Sequence, residues 1–371
     1  MIKLSVQVSY KKQFLLGILF LIIILVVFEI FSQVYYINEV ATCRFIESEI
    51  FENVPESTLN EMCSSYTSIK VPFDPYWENI PNQHNEYVNI NSFGFRGAEI
   101  SKEKPENVYR IIMLGGSTLF GYGATSDETT IPGFLQKKFE TTDSDFKVEV
   151  INAGSSGAYS KTETLYVKHK LLDFDPDLII VYDGWNDSRI PYTSHIGERG
   201  LAGQLYDSVN YLQSIFPYYK TPIVIREIGR DLISAEEDTV ATQIDANLDQ
   251  KVILWKERWN ESCLLVQKND IKTLITIQPM LGTGDRIITE SEKSTSGLSQ
   301  NDVKQLPLYQ LQKFVDVLPE LTNCTNTADL THIFDGHNEP IFLDLGHIGT
   351  QGSMLISEKM YELVLPMINR K

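Results

Sequence analysis

The sequence predicts an α/β protein with a mostly parallel central sheet, preceded by one membrane-spanning helix. Three observations carry this. From Tyr109 onward, short apolar runs end in glycine turns that lead into helix-like stretches, the alternation of a parallel sheet with its covering helices. Near the start, Phe14–Phe28 reads FLLGILFLIIILVVF, fifteen residues without a polar side chain. No later run reaches membrane length, since Leu178–Tyr182 and Leu274–Ile277 are strand-sized.

Extended to Phe31, the first run has 18 residues and admits only Glu29. As a helix it spans roughly 27 Å, close to the ~30 Å of bilayer hydrocarbon. Lys3, Lys11 and Lys12 precede it and no acid does. The positive-inside rule therefore predicts a cytoplasmic tail over 1–12, a transmembrane helix over 13–31 and everything after it outside, in a single-pass cell-membrane protein. The bilayer is its first expected partner. A cleaved signal peptide fits less well, because the bulky IFSQVYYI that follows offers no A-x-A-like site. A lipoprotein site at Val40–Cys43 would lie too far beyond the apolar run. A buried core helix fits poorly with so apolar a terminus behind two lysines.

Residues 32–105 read as an extracytoplasmic extension or linker, with turn formers Pro55, Pro72, Pro75 and Pro81 and the segment EYVNINSFGFRG at 86–97. The catalytic-type domain is expected over 106–371. Its predicted strands are Tyr109–Leu114, Phe146–Ile151, Pro176–Tyr182 and Lys272–Ile277. Its predicted helices are Thr130–Phe139, Lys161–Leu172, one within Asp245–Leu264, Gln310–Leu318 and Thr350–Ile368. An insertion is expected at about 190–327, forming extra helices or a cap, and 282–303 reads as an exposed polar loop.

Composition narrows the function. The 371 residues hold 32 Lys plus Arg against 49 Asp plus Glu, a formal charge of -17. That balance argues against a nucleic-acid partner. Removing the three lysines of the tail leaves 29 basic against 49 acidic residues, with Glu29 at the outer membrane edge included, a formal -20. Such a surface disfavours anionic headgroups and strongly acidic glycans as substrates unless the site is locally basic. Gly115–Gly121 lacks phosphate-loop and dinucleotide spacing. His84, His169, His195, His332 and His337 show no metal-ligand spacing. Neither a metal nor a cofactor is expected.

In an open parallel sheet, sites form beyond the carboxyl ends of the strands. Here three glycine-bearing strand ends occur, GGST at 115–118, NAGSSG at 152–157 and DGWND at 183–187, with Asp344 and His347 ahead of the last helix. Each alone is weak: Gly-Gly-Ser is often an ordinary turn, and Asp344-x-x-His347 suits a surface pair equally. Together they supply a serine at a strand-to-turn junction, an imidazole base, a carboxylate to hold its tautomer, and amide donors. Acyl transfer through a covalent serine ester needs that set.

Taken in this order, the blocks IIMLGGSTLFGYG, VINAGSSGAYS, YDGWND and DLGHIGTQG resemble the SGNH hydrolase superfamily, the GDSL-like esterases and lipases. Gly-Gly-Ser stands where the family's name has Gly-Asp-Ser. NSFGFRG at 91–97 is similar to an envelope-associated subgroup. The resemblance covers 86–190 and 328–371 well, 190–327 loosely, and 32–85 not at all. It implies a three-layer α/β/α sandwich, flavodoxin-like, with catalytic Ser117, Asp344 and His347. It also implies an oxyanion hole from the N–H groups of Ser117 and Gly157 and the Asn186 side chain. The implied activity is ester hydrolysis, on an ester-bearing cell-envelope glycan or lipid given the external placement. A glycan hydroxyl as acceptor would make it an O-acyltransferase, and an inactive envelope binding or assembly module is the reading from another class. The departure is the 156 residues between Asp187 and Asp344.

All four cysteines, Cys43, Cys63, Cys263 and Cys324, lie beyond the apolar run, where disulfides persist. Four allow three pairings. Cys43–Cys63 and Cys263–Cys324 would each tie down a region that otherwise reads poorly, and buried free thiols are the alternative. Of the sequons at Asn186, Asn260 and Asn323, the first coincides with the expected oxyanion donor. Trp185 suits either an acyl pocket or packing beneath the loop.

Overall fold

The computed structural model describes residues 9–37, 43–70, 78–141, 147–190, 192–197, 247–296, 309 and 311–368, with fifteen positions between 208 and 228. Lys3, Pro72, Pro75, Asp245, Gln310 and the end of the polar stretch at 297–303 lie outside the described residues. Chain contacts divide the protein into two compact units, Met1–Thr42 with Arg199–Asp238, and Cys43–Glu198 with Thr239–Lys371.

In the first unit the apolar run forms α1, Tyr10–Tyr35, longer at both ends than expected. Its 26 residues extend about 39 Å. Ser32 is its only buried residue.

In the second unit the described elements run α2 (Glu56–Ser68), β1 (Gln83–His84), β2 (Asn89–Ile90), β3 (Val108–Gly115), α3 (Ser117–Phe120), α4 (Ile131–Glu140), β4 (Lys147–Asn152), α5 (Ser160–His169), β5 (Leu178–Asp183), α6 (Trp185–Arg189), α7 (Tyr192–Ile196), α8 (Leu248–Gln267), β6 (Lys272–Ile277), α9 (Glu290–Ser296), β7 (Asn326–Asp329) and α10 (Thr350–Ile368). Residues 311–316 are also helical. The main sheet has the order β4-β3-β5-β6-β7, and every pairing in it is parallel. Numbered within the sheet, the order is 2-1-3-4-5, so successive connections leave β3 in opposite directions and open a crevice between the ends of β3 and β5.

Side chains alternate across each strand and so build two cores. On one face Ile112, Leu114, Ile179, Val181 and Ile275 pack with Tyr166 and Val167 of α5, Trp255 and Trp259 of α8, and Phe314. On the other, Ile111, Met113, Ile180 and Leu274 pack with Leu135 of α4 and Ile356, Met360 and Val364 of α10. These are the three layers expected. Helix α4 starts where the Thr130 hydroxyl accepts the Gly133 N–H at 3.1 Å, with Pro132 in its first turn.

Two expected boundaries change. Residues 43–105, read as an extension, belong to the sheet-bearing unit. Phe45, Phe51, Leu59, Met62, Tyr66 and Val88 form a third core there, joined by Phe120 and Leu343. The stretch 190–327 is not a single insertion. Helix α8 and strand β6 are parts of the sandwich, whereas Arg199–Asp238 groups with α1.

The cysteines pair as Cys43–Cys63 and Cys263–Cys324, with Cα atoms 5.6 and 4.9 Å apart. The second closes 61 residues and ties α8 to the segment entering β7. For a loop of that length the chain-entropy model assigns about 4 kcal/mol. The double substitution Cys263→Ala, Cys324→Ala should therefore lower the unfolding free energy by about that amount in urea titration. A loss under about 1 kcal/mol would contradict a stabilising bridge.

Candidate active site

The crevice is built from close backbone approaches. A Cβ placed on Gly115 would lie 2.6 Å from the Tyr182 carbonyl oxygen, and one on Gly116 would lie 2.4 Å from Asn186 Nδ2. Two side-chain-free residues thus let β3 turn sharply beside β5. The next residue, Ser117, opens α3, where backbone N–H groups have no intrahelical acceptor.

Ser117 Oγ lies 2.7 Å from His347 Nε2. His347 Nδ1 lies 2.7 Å from Asp344 Oδ2. The other carboxylate oxygen of Asp344 accepts the N–H groups of Gly346 and His347 at 2.9 and 2.8 Å. Burial by itself would raise the Asp344 pKa. The His347 charge and hydrogen bonds from the ring and these N–H groups outweigh it and pull the group down to about 2. Asp344 therefore stays ionised and fixes the ring with Nε2 toward the serine. The three predicted catalytic residues, drawn from both ends of the domain sequence, are brought together.

The predicted oxyanion donors gather at the same place. Asn186 Nδ2 donates to the Ala158 carbonyl at 2.7 Å, which leaves its second hydrogen for a ligand. Gly157, at φ +81°, occupies the turn after β4, and its N–H and that of Ser117 have no acceptor among the described residues. Ser117, Gly157, Asn186 and His347 are all partly solvent-accessible.

Several supporting residues surround them, and of these the sequence singles out only Trp185, as lining an acyl pocket or packing beneath the loop. Thr118 Oγ1 donates to the Gly346 carbonyl at 3.0 Å and pins the Asp344–His347 loop to the nucleophile turn. Trp185 sits against Gly346 and beneath the Arg189 guanidinium, so it packs under the loop. The Tyr122 ring lies 4.7 Å from the His347 ring, centroid to centroid. Arg96, of the NSFGFRG segment, is buried with Nε 2.8 Å from Asp127 Oδ1. Its Nη1 donates to the Phe120 and Gly121 carbonyls at 3.0 and 2.9 Å, holding the far end of the nucleophile turn.

Behind the donors lies a buried polar cluster. Asp183 accepts the Gly184 N–H and the indole N–H groups of Trp255 and Trp259. Asp187 accepts the Ser160 N–H and hydroxyl at 2.9 and 2.5 Å, tying the Asn186 loop to the start of α5, just past Gly157. Burial and the Asp183 charge push Asp187 well up, and burial pushes Glu163 well up. Burial, then Arg258 and Lys251, hold His195 down at about 3.

Among the described residues, Asp285, His332 and Asp335 bring possible metal-ligating atoms within 4.8 Å of one another, but all are exposed and no second feature points to an ion. A cleft of about 490 Å³, lined by Glu47, Glu49, Glu52, Phe51 and Leu59 among others, contains no triad residue.

No family model matches the sequence, and no curated protein does. Among solved structures, the chain is similar to an acetyl xylan esterase, AlAXEase, at 15% identity and TM-score 0.41, over 69% of this chain and 99% of that one. It is similar to a lipase/acylhydrolase from Enterococcus faecalis at 12% identity and TM-score 0.42, over 70% and 96%. It is also similar to a two-domain esterase (CEX) active on acetylated mannans at 12% identity and TM-score 0.40, over 71% of this chain and 50% of that one. All three TM-scores are below 0.5, and the functional reading rests on the side-chain geometry.

The His195 shift predicts a pH dependence. Its folded pKa of about 3 lies below its ordinary 6.5, so the unfolded chain binds the extra proton first. The His195 contribution to stability is full above pH 6.5 and drains as pH falls toward 3. Melting temperatures of His195→Gln should fall less steeply than wild type across that window. Parallel slopes would contradict a buried neutral His195.

Proposed function

We propose that the chain is a serine ester hydrolase of the SGNH type, tethered to the cell membrane by α1 with its sheet-bearing unit on the extracytoplasmic side. The observation that carries the catalytic reading is the continuous relay from Ser117 Oγ through both ring nitrogens of His347 to Asp344.

The mechanism follows from that geometry. Ser117 Oγ attacks the ester carbonyl carbon as its proton passes to His347 Nε2. The carbonyl oxygen becomes an oxyanion facing the N–H groups of Ser117 and Gly157 and the free amide hydrogen of Asn186. Asp344 stabilises the imidazolium without taking the proton. Collapse breaks the bond to the alcohol oxygen, which leaves with the proton from His347. Water then attacks the acyl-serine, with His347 as base, and the second collapse releases the carboxylic acid and restores Ser117. Each donor serves the charge that appears only in the transition state.

The anchor reading rests on the length of α1, its apolar exposed surface and the lysines ahead of its apolar run. That placement favours ester-bearing envelope glycans or lipids as substrates, with water as acceptor.

Two variants test the reading with a panel of short-chain esters and acetylated glycans. Ser117→Ala should lose at least about 10³-fold in kcat. Asn186→Ala should lose about 10²–10³-fold in kcat with little change in KM. Undiminished turnover by Ser117→Ala would overturn the mechanism. A loss confined to KM would remove Asn186 from the oxyanion site.

A further inference from the structure

The unit formed by α1 and Arg199–Asp238 carries an inference of its own, resting on the reading of α1 as a membrane anchor. Counting about 20 residues of hydrocarbon from Lys12 brings the outer boundary to Phe31–Ser32. Glu29 then falls just inside the apolar layer, where a bare carboxylate is costly and calls for partners.

The partners come from far along the chain. The Glu29 carboxylate accepts the backbone N–H groups of Lys220 and Thr221 at 2.8 and 3.1 Å and the Thr221 hydroxyl at 2.8 Å. Gln33 Nε2 adds a fourth hydrogen bond at 2.6 Å. Thr221 Oγ1 also lies 3.1 Å from Ser32 Oγ, which explains why Ser32 is buried. Gln33 reaches the Tyr218 carbonyl at 3.3 Å, and the Lys220 ammonium lies 4.2 Å from the Tyr36 ring centroid. Glu29, Ser32, Gln33 and Tyr36 share one stripe of the helix. Residues 218–221 are fastened along it, and 221–225 continue as a helical turn.

This attachment fixes depth. If Glu29 to Tyr36 cross the outer boundary of the bilayer, residues 218–221 sit there too. From Ser208 to Ile225 the sequence has one charged residue, Lys220. Leu212, Ile215, Phe216, Tyr219 and Ile225 are between 45% and 55% exposed. Such apolar surface, continuous with a lipid-facing helix and bearing tyrosines at the boundary, matches an interfacial membrane segment.

We propose that Leu212, Ile215, Phe216, Tyr219 and Ile225 form a second membrane contact, lying in the outer-leaflet interface and docked on α1 through the bonds of Lys220 and Thr221 to Glu29, with outer-leaflet lipid as the occupant of the apolar face. The anchor would then be a helix with a side platform that resists tilting and rotation.

The test places single nitroxide labels at Leu21→Cys, Phe216→Cys and Gln351→Cys in the full chain reconstituted in lipid nanodiscs. Collisions with oxygen and with a water-soluble nickel chelate are then compared. The native cysteines are paired and do not compete. Position 216 should resemble 21, with an oxygen-to-nickel ratio several-fold above that at 351. Adding Glu29→Ala should lower the ratio at 216 but not at 21. Nickel access at 216 like that at 351, with 21 protected, would overturn the platform and leave the anchor intact. Nickel access at 21 would overturn the anchor itself. Spin–spin broadening at 216 between chains would assign the face to a second copy and also overturn the platform.

Discussion

The close approach of two strand ends is the constraint on which the geometry around Ser117 and His347 depends. β3 and β5 are hydrogen-bonded neighbours, and they end together at Gly115 and Asp183. Gly115 and Gly116 leave no room for side chains against Tyr182 and Asn186. That lack of room lets the serine and the amide donor occupy one crevice. A bulkier turn would move Ser117 away from the Asn186 amide.

The rest of the site is fastened to this point from three directions. Thr118 holds the Asp344–His347 loop through the Gly346 carbonyl. Asp187 holds the Gly157 turn through Ser160. Arg96 holds the distal end of the nucleophile turn from the segment before the sheet. The buried acids and His195 behind the donors are expensive to bury. The hydrogen bonds of Asp183 and Asp187 to Gly184, Trp255, Trp259 and Ser160 give the loops one defined geometry.

What could be read in the sequence followed burial. β3, β5 and β6 are covered on both faces, so their apolar runs mark them within two residues; glycines mark the ends of β3 and β5, and Pro279 follows the end of β6. Ser117 and Asn186 were legible because they follow the ends of β3 and β5, and Gly157 because it lies in the glycine turn after β4. Asp344 and His347 were legible because they precede the last helix in an order that resembles a known family. β7, Asn326–Asp329, is a polar edge strand with no apolar run to announce it. α2 escaped because its apolar residues, Leu59, Met62, Cys63 and Tyr66, pack on a local core rather than the sheet. The roles of Arg96 and Thr118 depend on carbonyls distant in sequence, and no local pattern encodes such partners. The division of 190–327 was hidden for the same reason: Glu29 meets Lys220 and Thr221 only in three dimensions.

The central claim is that Ser117 is a nucleophile activated by His347. Fluorophosphonate reacts covalently with a serine only where a base and oxyanion donors support the attack. The most direct measurement is the intact mass of the full chain after such treatment, with peptide mapping of the adduct. The account predicts one adduct, on Ser117, nearly abolished by His347→Ala in protein that melts as wild type does. Absence of the adduct in folded wild-type chain, or equal labelling without His347, would contradict it.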